Sequence, residues 1–186
     1  MMFMTIAEGE RMLAYRPNGK IDVLQGPRRI WKGMTQFARM QHFVAHPAQY
    51  LSIRFRDGRE DTVVGPAEVW LDPRIHESIE VRHCLELAAK EAVVVYGAGE
   101  GAETSRRIVH GPALFAPRPG EWLHHFSWHA SHGGSRGAEK RPNALKFEKL
   151  CMMPDQMYHD VRDVRTADDA VLTVRLMIFF ELVDID

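Results

Sequence analysis

RRIVHGPALFAPRPGEW, residues 106–122, runs a short apolar strand into a Gly-Pro step, then three more apolar residues and a proline-rich turn. The same phrase occurs twice upstream, as IDVLQGPRRIW around Gly26-Pro27 and as DTVVGPAEVWLDP around Gly65-Pro66. Gly26 and Gly65 lie 39 residues apart, and so do the Asn18-Gly19 and Asp57-Gly58 pairs that precede them. Asn-Gly and Asp-Gly between apolar stretches signal hairpins, because both supply the positive φ that a tight turn demands. Residues 12–15 and 50–55 therefore read as strands entering the turns, and 21–24 and 62–64 as strands leaving them. The third copy has a longer connection: EAVVVY (91–96) enters, GAGEGAETS (97–105) loops, and 107–109 return before Gly111-Pro112. Gly65 and Gly111 are 46 residues apart, and the longer loop accounts for most of the excess. Such a period belongs to repeat arrays.

The Gly-Pro step has a physical purpose in this pattern. Proline lacks the amide hydrogen a sheet ladder needs, which confines it to edges, strand starts and bulges. The preceding glycine tolerates the unusual dihedrals of a bulge or corner. The pair is predicted to end one ladder and let the following residues join another, making Gly26, Pro27, Gly65, Pro66, Gly111 and Pro112 structural corners.

Residues 79–87 alternate in polarity and read as a strand with 88–90 as a turn, although CLELAAKEA also contains good helix formers. HASHGGSRGAEKRPN (129–143) is polar and glycine-rich, the composition of a loop or linker. A different unit is expected beyond it: a strand over 144–152, a turn at Pro154-Asp155, a strand over 158–166, a turn at 167–169 and a long strand over 171–183. In that last run Leu172, Val174, Leu176, Ile178, Phe180 and Leu182 share one face, while Thr173, Arg175 and Glu181 mark the other. The fold class is thus mainly β, with small antiparallel repeats at 1–46, 47–88 and 89–142 and a distinct unit at 143–186. Each repeat is too small to enclose a full core and must gain burial from its neighbours. The long apolar strand likewise needs another layer, which a continuation of the chain or neighbouring copies would supply.

Composition narrows the classes. The 186 residues carry 24 Lys and Arg against 25 Asp and Glu, which argues against a broad basic face for nucleic acid. Two cysteines, Cys84 and Cys151, make no disulfide framework and suit a reducing, cytoplasmic setting. No stretch reaches the roughly 20 apolar residues of a membrane-spanning helix, and MMFMTIAEGERML lacks the basic leader of a signal peptide. A soluble chain is expected.

Taken together, EAVVVYG and RRIVHGPALFAPRPGEW resemble the repeat units of the major vault protein family, in which a hairpin is followed by a Gly-Pro step, apolar residues and a Pro-Gly-Glu turn. DVRDVRTADDAVLTVRLMIFFELVD resembles the start of that family's shoulder domain and is similar to the opening hairpin of stomatin, prohibitin and flotillin (SPFH) domains. Thr166, Ala167 and Asp168 stand at the shoulder turn. The likeness is closer over 91–186 than over 6–96. It implies an incomplete α/β SPFH-like shoulder hairpin after the repeats. It also implies a structural, non-enzymatic subunit without a cofactor: a stave that packs against identical subunits in a hollow ribonucleoprotein-type shell, binding no nucleic acid itself. The SPFH likeness leaves a peripheral membrane scaffold as an alternative.

Histidine offers the sharpest rival, a small cupin-type metalloenzyme. Ten histidines occur, and WLHHFSWHASH (122–132) holds His124, His125, His129 and His132. Metal sites need three converging ligands, whereas His124 and His125, adjacent on a strand, point oppositely. The favoured reading is a surface hairpin with aromatic anchors at Trp122, Phe126 and Trp128. No metal is therefore assigned, although a pH-responsive contact is a softer possibility. Asp155, Asp160, Asp163, Asp168 and Asp169 lie at a turn and along an alternating strand, where exposure is ordinary. Cys84 beside His83 cannot form a nucleophile–base pair on a strand. Ser105, Ser127, Ser131 and Ser135 lack an elbow context, and GAGEGAE (97–103) lacks the Gly-Lys-Ser/Thr of a phosphate loop. Arg28-Arg29 and Arg106-Arg107 are predicted to make ion pairs between repeats or subunits.

Overall fold

The computed structural model describes residues 3–98, 103–132 and 139–185, with only the backbone for 130–132, 139 and 140. The protein is mainly β, built from several small antiparallel sheets. Two compact units divide it, Met1–Cys84 and Leu85–Asp186.

The first unit holds two copies of one five-strand plan. In the first copy, β1 (Phe3–Ile6), β2 (Arg11–Tyr15), β3 (Ile21–Gln25), β4 (Arg28–Trp31) and β5 (Gln36–Arg39) form a three-stranded sheet with β2 central between β3 and β5. A separate β1–β4 ladder completes it. The second copy repeats this with β6 (His42–Ala45), β7 (Gln49–Phe55), β8 (Glu60–Val64), β9 (Ala67–Trp70) and β10 (His76–His83): β7 is central, and β9 pairs with β6. The chain therefore changes ladder at each Gly-Pro step, where the peptide bond is cis.

The second unit opens with β11 (Leu85–Leu87), β12 (Glu91–Ala98), β13 (Thr104–His110), β14 (Ala113–Phe115) and β15 (Trp122–Leu123), with β11 paired to β14 and β12 central. Here the fifth strand is split. β16 (Phe126–His132) and β17 (Glu139–Phe147) form a hairpin of their own, and β18 (Lys149–Cys151) returns to pair with β12. Leu123 opposite Val95 corresponds to Ile79 opposite Ile53, and Cys151 opposite Glu91 to His83 opposite Gln49. β15 and β18 are thus two halves of one strand interrupted by residues 124–148.

Three sequence-based expectations change here. The loop or linker expected over 129–143 includes strand at both ends, with residues 133–138 outside those described, as are residues 99–102 of the 97–105 loop. The single strand expected over 144–152 is two strands in different sheets, because Glu148 separates them. Strand pairing also places the repeat limits elsewhere than 46, 88 and 142: β6 belongs to the second repeat, β11 to the third, and the third extends to Cys151. The first strand of each repeat finds its partner only after the intervening hairpin, so proximity in sequence assigns it to the wrong repeat.

The Gly-Pro corners follow a different physical rule from the expected one. Gly26, Gly65 and Gly111 do not adopt positive φ. Instead, a Cβ at these positions would collide with the carbonyl oxygen of Ala7, His46 or Ala88 respectively. Each of those carbonyls opens a turn of one design. The amide of Glu10, Gln49 or Glu91 donates back to it (3.2, 3.0 and 3.1 Å), and the amide of the corner glycine donates to the carbonyl of the same residue (3.0, 2.9 and 2.8 Å). The Glu or Gln side chain closes the turn by accepting from the amide of Ala7, His46 or Ala88. The third turn residue has positive φ in every copy: Gly9, Ala48 and Lys90.

Burial concentrates between the two ladders of each repeat. Ala45, Leu51, Ile53 and Ile79 form one buried cluster, and Leu87, Val93, Val95 and Phe115 another. Each Val, Leu, Ile or Phe side chain withdrawn from water this way contributes about 1.5–3 kcal/mol.

After β18 the chain forms one long ribbon, β19 (Asp155–Arg165) paired with β20 (Val171–Phe180). The turn between them copies the hairpin turns of the first two repeats. The Thr166 amide donates to the Ala170 carbonyl (2.9 Å), as Arg16 does to Lys20 (2.9 Å) and Phe55 to Arg59 (2.8 Å). Asp169 takes the positive φ that Gly19 and Gly58 adopt. The α/β character expected of the shoulder is not found, since among the described residues this region is strand without helix.

Candidate assembly surface

Every residue of β20 is exposed, the apolar ones from Val174 at 37% to Phe179 at 71%. Pairing register gives the ribbon two faces. On one, Leu172, Val174, Leu176, Ile178 and Phe180 lie opposite Val164, Val161, His159, Met157 and Asp155. On the other, Met177 and Phe179 lie opposite Tyr158 and Gln156, and Arg175 opposite Asp160. A bulge between Val161 and Val164 carries the extra residues Arg162 and Asp163, and Asp163 has positive φ there. Two-stranded ribbons are marginal in water without a layer against one face, and no such layer lies on this one among the described residues.

At the shoulder turn, the Thr166 hydroxyl hydrogen-bonds the Asp168 carboxylate and the Ala170 backbone. The hydroxyl holds the Asp168 carboxyl below the usual range. Ala167 is exposed at the tip.

Within the first unit the two repeats meet through contacts the sequence reading did not identify. The Arg11 guanidinium lies 5.3 Å from the Trp70 ring centroid, Trp70 stacks on His42 at 4.2 Å, and His42 Nε2 is 3.1 Å from Glu68 Oε2. Arg74 grips the Asp72 carboxylate through Nε and Nη2 (2.9 and 2.6 Å) and donates from Nη1 to the Ile21 carbonyl of the first repeat (3.1 Å). That guanidinium keeps the buried Asp72 carboxyl below its ordinary range. The available signal was Trp31 and Trp70, spaced by the same 39 residues as the corners.

The predicted chemical candidates disperse. His124 packs edge-on against Phe126 (4.4 Å) and Tyr96 (5.6 Å), while His125 Nδ1 meets Glu148 Oε1 at 3.1 Å. His129 is exposed, and the side chain of His132 lies outside those described. No group of three metal-ligating side chains occurs among the described residues. The aspartates bond locally, Asp155 to the Gln156 amide (2.7 Å) and Asp169 to Arg165 (3.3 Å). Burial pushes the Cys84 thiol up in pKa, the opposite of what a nucleophile requires. Ser105 Oγ donates to the Gly97 carbonyl (3.2 Å).

The arginine pairs make no ion pair between repeats among the described residues. Arg107 bridges within its own repeat to Glu121 (3.0 and 2.8 Å), and Arg29 lies over Phe3 (4.8 Å). Arg28 has no ion pair among the described residues. Glu121 also accepts from the Arg118 amide (2.9 Å), closing the Pro-Gly-Glu turn in the manner of Glu10, Gln49 and Glu91. The chain matches no protein-family model and no curated protein.

Proposed function

We propose that this chain is a structural, non-enzymatic subunit that associates with copies of itself, in the manner of the major vault protein family its sequence resembles. The β-repeats form a stave, and the β19–β20 ribbon acts as a shoulder-like joint that packs against the ribbon of the next copy. One observation carries the reading: a ribbon of 11- and 10-residue strands with apolar side chains in water on both faces. The seam between the first two repeats supports it, since two repeats of this chain already meet through Arg11 on Trp70 and Arg74 on the Ile21 carbonyl. Assembly in the cytoplasm is the expected setting.

The test is mass photometry and negative-stain imaging of the full chain. The expected result is rings or barrels far above the 21.3 kDa subunit mass. Leu176→Asp with Ile178→Asp should release monomers that keep the melting temperature of the repeats. A wild-type chain that stays monomeric at micromolar concentration would sink the proposal. Flotation of that monomer with anionic liposomes would favour the membrane-scaffold alternative, in which the same apolar face meets lipid.

A further inference from the structure

The first two repeats provide controls for one another along the strand that follows each Gly-Pro corner. Ala14 and Arg16 stand where the second repeat has Ile53 and Phe55. There Ile53, 4% exposed, fills the sandwich, with Ala67 and Val69 of β9 packed on its cluster. In the first repeat the mouth stays open as a cleft of ≈ 430 Å³. All four residues of β4 line it, together with Ala14, Leu24 and Phe37. The cleft thus runs along a strand with a free edge, because β4 pairs with β1 alone among the described residues. The flank of that strand also changes sign: Arg29 and Lys32 stand where the second repeat has Glu68 and Leu71. Arg16, Lys20 and Arg39 make the ion pairs of the first repeat, which leaves Arg28, Arg29 and Lys32 without a carboxylate partner among the described residues. Trp31 is 65% exposed, whereas its counterpart Trp70 is covered by Arg11 and His42.

We infer that residues 181–185 of a second copy dock along β4 as an added antiparallel strand. That segment, ELVDI, lies outside every ladder, and its Val183 is 80% exposed. Glu181 and Asp184 make no ion pair among the described residues, whereas Glu60, Asp72 and Glu80 of the second repeat are already held by Arg54, Arg74 and Arg82. An open edge is a template for a further strand, with main-chain hydrogen bonds giving affinity and alternate side chains giving specificity. Antiparallel register with Asp184 opposite Arg28 sets Leu182 opposite Ile30. Alternation then carries Glu181 and Val183 onto the face of Arg29 and Trp31. Lys32, one residue further on, stands beside Glu181. Each acid meets a cation and each apolar residue an apolar one. The contact is separate from the ribbon pairing proposed above and rests on that reading only for the identity of its partner.

Carbodiimide cross-linking of the full chain tests it, because the reagent joins an amine to a carboxylate in contact with it. Heavy-isotope-labelled and unlabelled copies are mixed in equal amounts, and mass spectrometry reads the linked peptides. Lys32 should be joined to Glu181 or Asp184, with labelled and unlabelled copies linked to each other. A synthetic peptide of residues 180–186, FELVDID, acetylated and amidated, should likewise label Lys32 of the Leu176→Asp, Ile178→Asp chain. That arm needs no ribbon pairing, so failure of the ribbon contact and failure of this one are read apart. Arg29→Glu should lower peptide labelling at least tenfold, as should a peptide carrying Leu182→Ser and Val183→Ser. Ala14→Ile fills the cleft and should block labelling; if it misfolds, the exposed Arg29→Glu substitution decides alone. No link from Lys32 to either acid, links confined to one chain, or labelling within twofold of wild type in Arg29→Glu or with the serine peptide would each overturn the proposal.

Discussion

The repeats and the terminal ribbon obey the same strand alternation but meet opposite fates. In β7 the alternating residues Leu51 and Ile53 are 0% and 4% exposed, whereas in β20 Leu176 and Ile178 are 41% and 40% exposed. The hairpin turns of the first two repeats and of the ribbon are the same in hydrogen-bond pattern, down to the positive-φ residue. What differs is the step after the hairpin. In the repeats a corner glycine folds the following strand onto a second ladder, which covers the first sheet. Among the described residues no such corner follows the ribbon, and no layer covers its strands. Alternation dictates a strand; a chain reversal into a second layer dictates burial.

That contrast can be broken most sharply at a corner. Gly111→Val should cost about 4 kcal/mol or more, because the new side chain meets the Ala88 carbonyl and only backbone movement can relieve it. A thermal melt of the second unit unchanged by this substitution would remove the close-approach argument. Next in size, Ile53→Ala should destabilise the first unit by about 2–4 kcal/mol through lost burial and a residual cavity. Ile178→Ala on the ribbon should change monomer stability by less than about 0.5 kcal/mol. Paired denaturant titrations of these two variants measure the difference, and equal losses would show that the ribbon is covered after all.

A smaller effect separates the third repeat from the ribbon by pH. Arg107 holds the Glu121 carboxyl below its usual range, and Glu121 is only 13% exposed. A depressed folded pKa means that the contribution is present above the ordinary glutamate value of about 4.3 and is lost as pH falls through the lower folded value. Glu121→Gln should therefore cost about 1 kcal/mol at pH 7, discounted for the half-exposed guanidinium, and its melting temperature should fall less steeply than wild type below about pH 4.3. Parallel melts at pH 7 and pH 3 read this directly. The smallest change is a gain. Ala48 holds φ of 67° where the first repeat has Gly9, so Ala48→Gly should stabilise by roughly 0.5 kcal/mol, seen as a melting temperature raised by a few degrees or less.

Strands, hairpin turns and the repeat itself were legible because they are local. Asn18-Gly19, Asp57-Gly58 and the three Gly-Pro steps each declare a backbone requirement within a few residues. The turn shared by Glu10, Gln49 and Glu91 was legible in principle, as a Glu or Gln three residues after the amide it caps, yet its sequences AEGE, HPAQ and AAKE share almost nothing else. The split fifth strand of the third repeat was hidden, because Lys149–Cys151 earns its place only by pairing with β12 across an inserted hairpin. The open mouth of the first repeat was hidden for the same reason. Leu24, Ile30 and Phe37 are unremarkable in sequence and line a cleft only when two ladders bring them together.

The sequence by itself determined the mainly β class, the three-fold repeat and the alternating long ribbon, since each rests on preferences of neighbouring residues along the backbone. Only the tertiary structure decided which strands share a ladder, why the corner residue must be glycine, which sandwich is filled and which stands open. Those outcomes depend on atoms far apart in the chain competing for one volume, and spacing along the chain does not record that competition.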